Sequence, residues 1–169
     1  MLCKEVIGNI KTYSVGNKTI DTLSLEWFEM TKRIMRKKTE GGREVAIKFL
    51  KEGQRLHQGD IVLEDDNTLV IVDVLPCDSI QVTPRNIVEM GTVCYEIGNK
   101  HLPIFIQDEK VLVPYEKPLE RLLEVTGYIV EKKHCQLLNM LKANIGHAHG
   151  NGNDSPSLFS RILDLTTKQ

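Results

Sequence analysis

The hydrophobic period of this chain changes once, at Pro76-Cys77-Asp78, and that change limits the folds available to it. Before the break apolar residues alternate with polar ones, the pattern of half-buried strands. Leu23, Leu25 and Trp27 follow it, and so do Val45, Ile47 and Phe49, with Glu44, Ala46 and Lys48 facing the other way. The segments 32–39 and 44–49 flank Glu40-Gly41-Gly42-Arg43, a hairpin turn whose glycines permit positive φ. A second hairpin, 61–64 with 68–75, turns at Asp65-Asp66-Asn67. The reading for residues 1–76 is therefore an antiparallel β domain.

After the break the period lengthens. Thr83 is a candidate N-cap with Pro84 at the first helical position. Ile87, Met90, Cys94 and Ile97 then recur at spacings of three and four, with Gly91 and Gly98 on the same face. A second helix carries Leu119, Leu122 and Leu123 and stops at Gly127. Short strands at 80–82, 103–106, 110–113 and 128–132 complete the order βαββαβ, the ferredoxin-like arrangement. The expected fold class is α+β, with this second domain over 77–143. Residues 144–156 are rich in Asn, Gly, Ser and Pro and predict a flexible tail over 144–169. Ser155-Pro156 could cap a short helix with Leu158, Phe159 and Ile162 on one side, docked on its own domain or on a partner.

Composition excludes several classes. At 169 residues, 41% hydrophobic and 27% charged, the chain is an ordinary globular protein with enough length for a proper core. A formal net charge of −1 argues against a dedicated nucleic-acid binder. No apolar run reaches the length of a membrane span, and Met1-Leu2-Cys3-Lys4-Glu5 lacks a signal peptide's apolar core, so the expected location is cytoplasmic. The cysteines at 3, 77, 94 and 135 form no Cys-x-x-Cys pair, which leaves free thiols in a reducing compartment. Cys94 lies on the apolar helix face and reads as core.

The chemistry sits in histidines. His101 closes Gly98-Asn99-Lys100-His101 where the first helix runs out, at the negative end of its dipole, which favours a cation. Alone, such a histidine is ordinarily a satisfied boundary residue. One imidazole per chain is also too few for a useful metal site, and a twofold axis is the simplest remedy, because it brings the same residue from two subunits together. Gly91 and Gly98 would permit that approach, although packing against the chain's own sheet explains them equally well. His147 and His149 would project to one side of an extended segment, roughly 7 Å apart, and could fold over a metal held elsewhere. His57 and His134 have no comparable surroundings. Lys32, Arg33, Arg36, Lys37 and Lys38 crowd positive charge onto one strand, a solvated edge that discourages aggregation or a dock for an acidic partner. No Walker A sequence, nucleotide fingerprint or nucleophile elbow occurs, so no enzymatic activity is expected.

The run Cys94-Tyr95-Glu96-Ile97-Gly98-Asn99-Lys100-His101 resembles the metal-binding signature of the UreE family, the urease accessory nickel metallochaperones. There the stretch usually reads Glu-Ile-Gly-Asn-Arg-His, so Lys100 is a conservative departure. Leu25-Glu26-Trp27, Lys32-Arg33-Ile34, Gly59-Asp60 and Tyr115-Glu116-Lys117 extend the resemblance, in the family's order, across about residues 5 to 130. It implies an N-terminal β domain like the peptide-binding part of J-domain co-chaperones, followed by a ferredoxin-like metal-binding domain. It further implies a homodimer in which His101 of two subunits shares one Ni(II), with tail histidines such as His147 and His149 assisting. Imidazole sites of this kind also take Zn(II) or Cu(II). The implied partners are the urease accessory GTPase and the apo-urease complex, with no nucleic acid and no membrane. Histidines that some members carry before the second helix are replaced here by Tyr115 and Lys117. Two other readings are a ferredoxin-like RNA-binding module, for which Ile80-Gln81-Val82 lacks aromatics, and a zinc-dependent hydrolase, for which Glu96 points to the wrong helix face.

Overall fold

The computed structural model describes residues 1–51 and 53–141. His147, His149 and the segment 157–166 lie outside the described residues. Strands β1 (Leu2–Cys3), β2 (Gly8–Asn9), β3 (Thr19–Leu25), β4 (Ile34–Lys38), β5 (Glu44–Lys48), β6 (Asp60–Glu64) and β7 (Thr68–Val74) make two sheets. Their orders are β1-β5-β4 and β2-β6-β7-β3. The two expected hairpins are present as β4–β5 and β6–β7. Alternation works as expected: Val45, Ile47 and Phe49 are buried with Leu23, Leu25, Val70, Val72 and Val74 in one core. The pairing is not antiparallel throughout, because β1 joins β5 and β3 joins β7 in parallel. Hydrophobic alternation fixes which face of a strand is buried but is indifferent to strand direction. Trp27 leaves the alternation too, since a 3₁₀ turn over Trp27–Thr31 follows β3.

The second half has the order β8 (Cys77–Val82), α1 (Ile87–Gly98), β9 (Phe105–Gln107), β10 (Lys110–Pro114), α2 (Lys117–Val125), β11 (Val130–Cys135). Its sheet runs β11-β8-β10-β9 with every pair antiparallel, the ferredoxin-like topology. The fold is α+β. One face of the sheet offers Ile80, Val82, Val111 and Val113 to Val93 and Ile97 of α1 and to Leu119 and Leu123 of α2. The other face carries Phe105 and Leu112, which pack with Leu137 and Trp27 and so join the halves. Trp27 and Phe105 meet edge to face at 5.6 Å between ring centroids.

Helix α1 begins later than expected. Thr83 is still in the sheet, its N–H donating to the Ile129 carbonyl. Asn86 is the N-cap instead, its side chain accepting from the Glu89 N–H at 2.9 Å. Arg85 then pairs with Glu89 and also donates to the Gly127 carbonyl, which ties the start of α1 to the end of α2. In α2 the expected Gly127 follows the helix at φ 88°, a conformation that glycine adopts without steric cost. Of the three leucines on α2, Leu119 and Leu123 are buried and Leu122 is exposed.

Candidate metal centre

The two faces of α1 set the site. Met90, Val93, Cys94 and Ile97 turn inward against the sheet. Ile87 does not, contrary to the expected stripe: it is 82% exposed, beside Val88 at 74% and Tyr95 at 70%. Ile87 is the first residue of α1, about 120° around the helix from Val93, and it stays in water. Gly91 and Gly98 lie on this outer face as well, both exposed. A Cβ at Gly91 would meet no atom within 4 Å, and one at Gly98 only the Ile104 side chain at 3.9 Å. The chain's own packing therefore does not require either glycine, and the sequence reading's internal explanation for them falls away.

His101 stands at the end of this outer face. Asn99 is the C-cap, and the N–H groups of Lys100 and His101 donate to the carbonyls of Ile97 and Gly98 at 3.0 and 2.9 Å. His101 then takes φ 58°, the left-handed conformation that commonly ends helices and that glycine usually supplies. The turn sends Leu102 and Ile104 back to the core. A side chain in that conformation costs on the order of 1–2 kcal/mol, so the position favours glycine on backbone grounds and holds histidine. The His101 residue is exposed, and its ring has no hydrogen-bond partner among the described residues. Both ring nitrogens are open to solvent chemistry.

Nearby groups do not join it. Burial pushes the Cys94 thiol upward, away from the thiolate a metal needs, and its side chain packs into the core. Glu96 accepts a hydrogen bond from Tyr128 Oη at 3.1 Å, which commits it to the far side of α1. His57 lies 3.5 Å from the buried Asp60, and His134 Nδ1 lies 2.9 Å from the exposed Asp78, each paired away from His101. Tyr115 donates to Glu120 and carries the Lys132 ammonium over its ring, so no auxiliary imidazole site exists before α2. Among the described residues no three His, Cys, Asp or Glu side chains converge on one point. Among the described residues His101 is thus the exposed imidazole with no carboxylate beside it, and one chain forms no complete coordination shell.

Two family models match end to end along this architecture: the N-terminal domain of the UreE urease accessory protein over residues 3–75, and its C-terminal domain over 78–155. The chain belongs to the UreE family. Among its relatives, the urease accessory protein UreE of Flavobacterium johnsoniae is 47% identical over 165 residues, spanning 98% of this chain and 99% of that protein. The UreE of Actinobacillus pleuropneumoniae is 37% identical across 86% of this chain and 80% of its own length. That of Acetivibrio thermocellus is 36% identical across 88% of this chain and 97% of its own. The motif that suggested UreE in the sequence occupies the end of α1, on its exposed side. How apolar that side is did not follow from the three-and-four spacing of Ile87, Met90, Cys94 and Ile97. The adjacent pair Ile87-Val88, with Tyr95 seven residues after Val88, carried the signal, because a helix cannot turn both members of an adjacent pair inward along with Val93 and Ile97.

Proposed function

We propose that this member of the UreE family is a cytoplasmic nickel metallochaperone acting in urease maturation, with one Ni(II) shared by the His101 rings of two subunits across a twofold axis. The observation that carries this reading is the outer face of α1: Ile87, Val88, Gly91 and Tyr95 leave apolar surface uncovered on a helix that ends at His101. Burying a large apolar side chain contributes roughly 1.5–3 kcal/mol, so a second copy covering this face would gain several such terms. An isologous contact there brings two copies of the same helix end together. Glycine at 91 and 98 then has a use, since it lets two backbones approach closely. The left-handed His101 has a use as well, because the strain fixes where the imidazole emerges.

Such a site supports carriage rather than catalysis. Two neutral imidazoles bind Ni(II) and leave positions for ligand exchange, and His147 and His149 are the candidates to fill them. The names of the relatives place them as urease accessory proteins, and nickel is the ion for which the family resemblance argues. Delivery to the apo-urease complex, by way of the accessory GTPase, is the corresponding partner set. Domain limits at 1–76 and 77–143 with a tail over 144–169 suit this division of labour, the second domain holding the metal. The four cysteines fit a reducing compartment, and no helix among the described residues is long and apolar enough to cross a membrane. The hydrolase reading loses its base, since Glu96 is held by Tyr128. An RNA-binding reading loses its platform, since Ile80, Gln81 and Val82 are buried.

Calorimetric titration with Ni(II), alongside native mass spectrometry, tests the proposal. One tight ion per two chains is expected, with the tight site lost in His101→Ala and in His101→Gly. The glycine variant should also melt higher, since it relieves a positive φ. One equally tight ion per chain would falsify the shared site.

A further inference from the structure

Strand β4 is the outer strand of its sheet, paired only with β5 among the described strands. The Phe49 N–H donates to the Arg33 carbonyl and the Thr39 N–H to the Arg43 carbonyl. In an antiparallel ladder bonded pairs alternate with open ones, so 33, 35, 37 and 39 face β5. The N–H and C=O groups of Ile34, Arg36 and Lys38 therefore face away from the sheet, and no described group pairs with them. The same three side chains are exposed, with Ile34 at 70%.

The cations of this strand fall into two sets. Lys37 is committed inward, its ammonium 2.8 Å from the buried Glu29, and Lys32 approaches the same carboxylate at 3.6 Å. Arg33 and Arg36 have no ion pair among the described residues, and Lys38 has only Glu44 at 3.9 Å. Lys48, exposed and directly across from Ile34, extends the positive field onto β5. A shallow concavity beside this strand is lined by Arg36, Lys37 and Lys38 of β4 and by Met1, Glu44, Val45 and Ala46 across from them. A solvated edge that repels other strands needs the charge alone. Here the charge sits beside an exposed Ile34 and unpaired main chain, in a strand without proline or bulge.

We propose that the open edge of β4 is a docking strand for an extended acidic segment of a partner protein. The segment would add to the sheet at Ile34, Arg36 and Lys38, exchanging main-chain hydrogen bonds with them. Its carboxylates would lie against Arg36, Lys38 and Lys48, and an apolar residue against Ile34, since opposite charges and apolar pairs stabilise adjacent strands. A basic or proline-rich segment would be rejected. The site lies in the half of the chain that lacks His101, so it requires neither the metal nor the twofold contact.

The test uses the full chain and a short fluorescein-labelled peptide alternating glutamate and valine, read by fluorescence anisotropy. Saturable binding is expected, weakened about ten-fold by Arg36→Glu with Lys38→Glu. Ile34→Pro keeps every charge and removes one outward N–H without touching the β5 ladder. It should weaken binding about five-fold, and circular dichroism would verify that each variant folds. His101→Ala should bind the peptide as the parent does. No saturable binding would overturn the proposal. So would equal binding of an acidic peptide interrupted by prolines, or indifference to Ile34→Pro, because either leaves only diffuse electrostatics. A thymidine oligonucleotide bound more tightly than the peptide, and lost with the same charge reversals, would overturn it in favour of a nucleic-acid surface.

Discussion

The outer face of α1 and the open edge of β4 are both uncovered, yet they differ in what they leave unsatisfied. On α1 the main chain is largely used by the helix, and the apolar side chains Ile87, Val88 and Tyr95 remain in water beside the exposed Thr92. On β4 the main chain itself is open and the side chains are mostly charged. An apolar surface gains by burial from any well-shaped partner and is kept covered by a permanent one. A charged edge gains mainly on encounter, weakens with salt, and suits a partner that comes and goes. On the proposed reading, a lasting contact beside His101 is kept apart from a passing one in the other half of the chain.

Charge placed on each surface should break that comparison in different ways. Tyr95→Glu puts a carboxylate from each subunit into an apolar contact, so the dimer dissociation constant should rise roughly a hundred-fold. Tight nickel binding should fall with it, because a ligand that binds only the dimer is lost when the dimer is. Sedimentation equilibrium with and without nickel reads both effects. Arg36→Glu should leave association untouched. If Arg36→Glu disperses the dimer and Tyr95→Glu does not, the two surfaces have been assigned the wrong way round.

The sequence made one of these surfaces easier to see than the other. The cations of β4 are visible in any reading, and the hairpin that carries them was legible from Val45, Ile47 and Phe49 and from the turn at 40–43. Which of the cations are available was not legible, since Lys37 is neutralised by Glu29 through a contact that spacing does not encode. On α1 the motif ending at His101 was legible, but the helix start was not. Thr83-Pro84 is a good local cap signal, and the sheet bond from Thr83 to Ile129 overrode it. With Asn86 as the cap, Ile87 is the helix's first residue and stays exposed. The parallel pairing of β3 with β7 was equally hidden, because strand direction depends on long-range connections. Chain order, by contrast, was enough for the βαββαβ half, where each element is short and its neighbour close.

A smaller effect should come from the tail. Removing residues 144–169 takes away His147 and His149 but leaves both His101 and the outer face of α1. Nickel affinity should fall about ten-fold while one ion per dimer is retained, since ligands lost from an incomplete shell are replaced by water. X-ray absorption should show fewer imidazoles per nickel. An unchanged ligand count would make the tail histidines bystanders and place the whole shell at the twofold contact.

The smallest expected effect sharpens the difference between inward and outward cations on β4. Burial pushes the Glu29 carboxyl up, but the Lys37 ammonium, the Glu26 N–H and the nearby Lys32 charge outweigh it, and the group is held below its ordinary value. A carboxyl lowered in the folded state stabilises the fold above its unfolded value of about 4.3, and that contribution disappears as pH falls through the folded value. Glu29→Gln should therefore be less stable at neutral pH by about 1 kcal/mol, with the gap to the parent closing under acid conditions. Urea denaturation across pH measures it. Lys37 loses its internal partner in the same variant, yet its side chain projects to the Glu29 side of β4, away from Arg36 and Lys38. The acidic peptide should then bind as before. A gain of several-fold would mean that Lys37 can swing to the open edge, and that Glu29 normally holds it back.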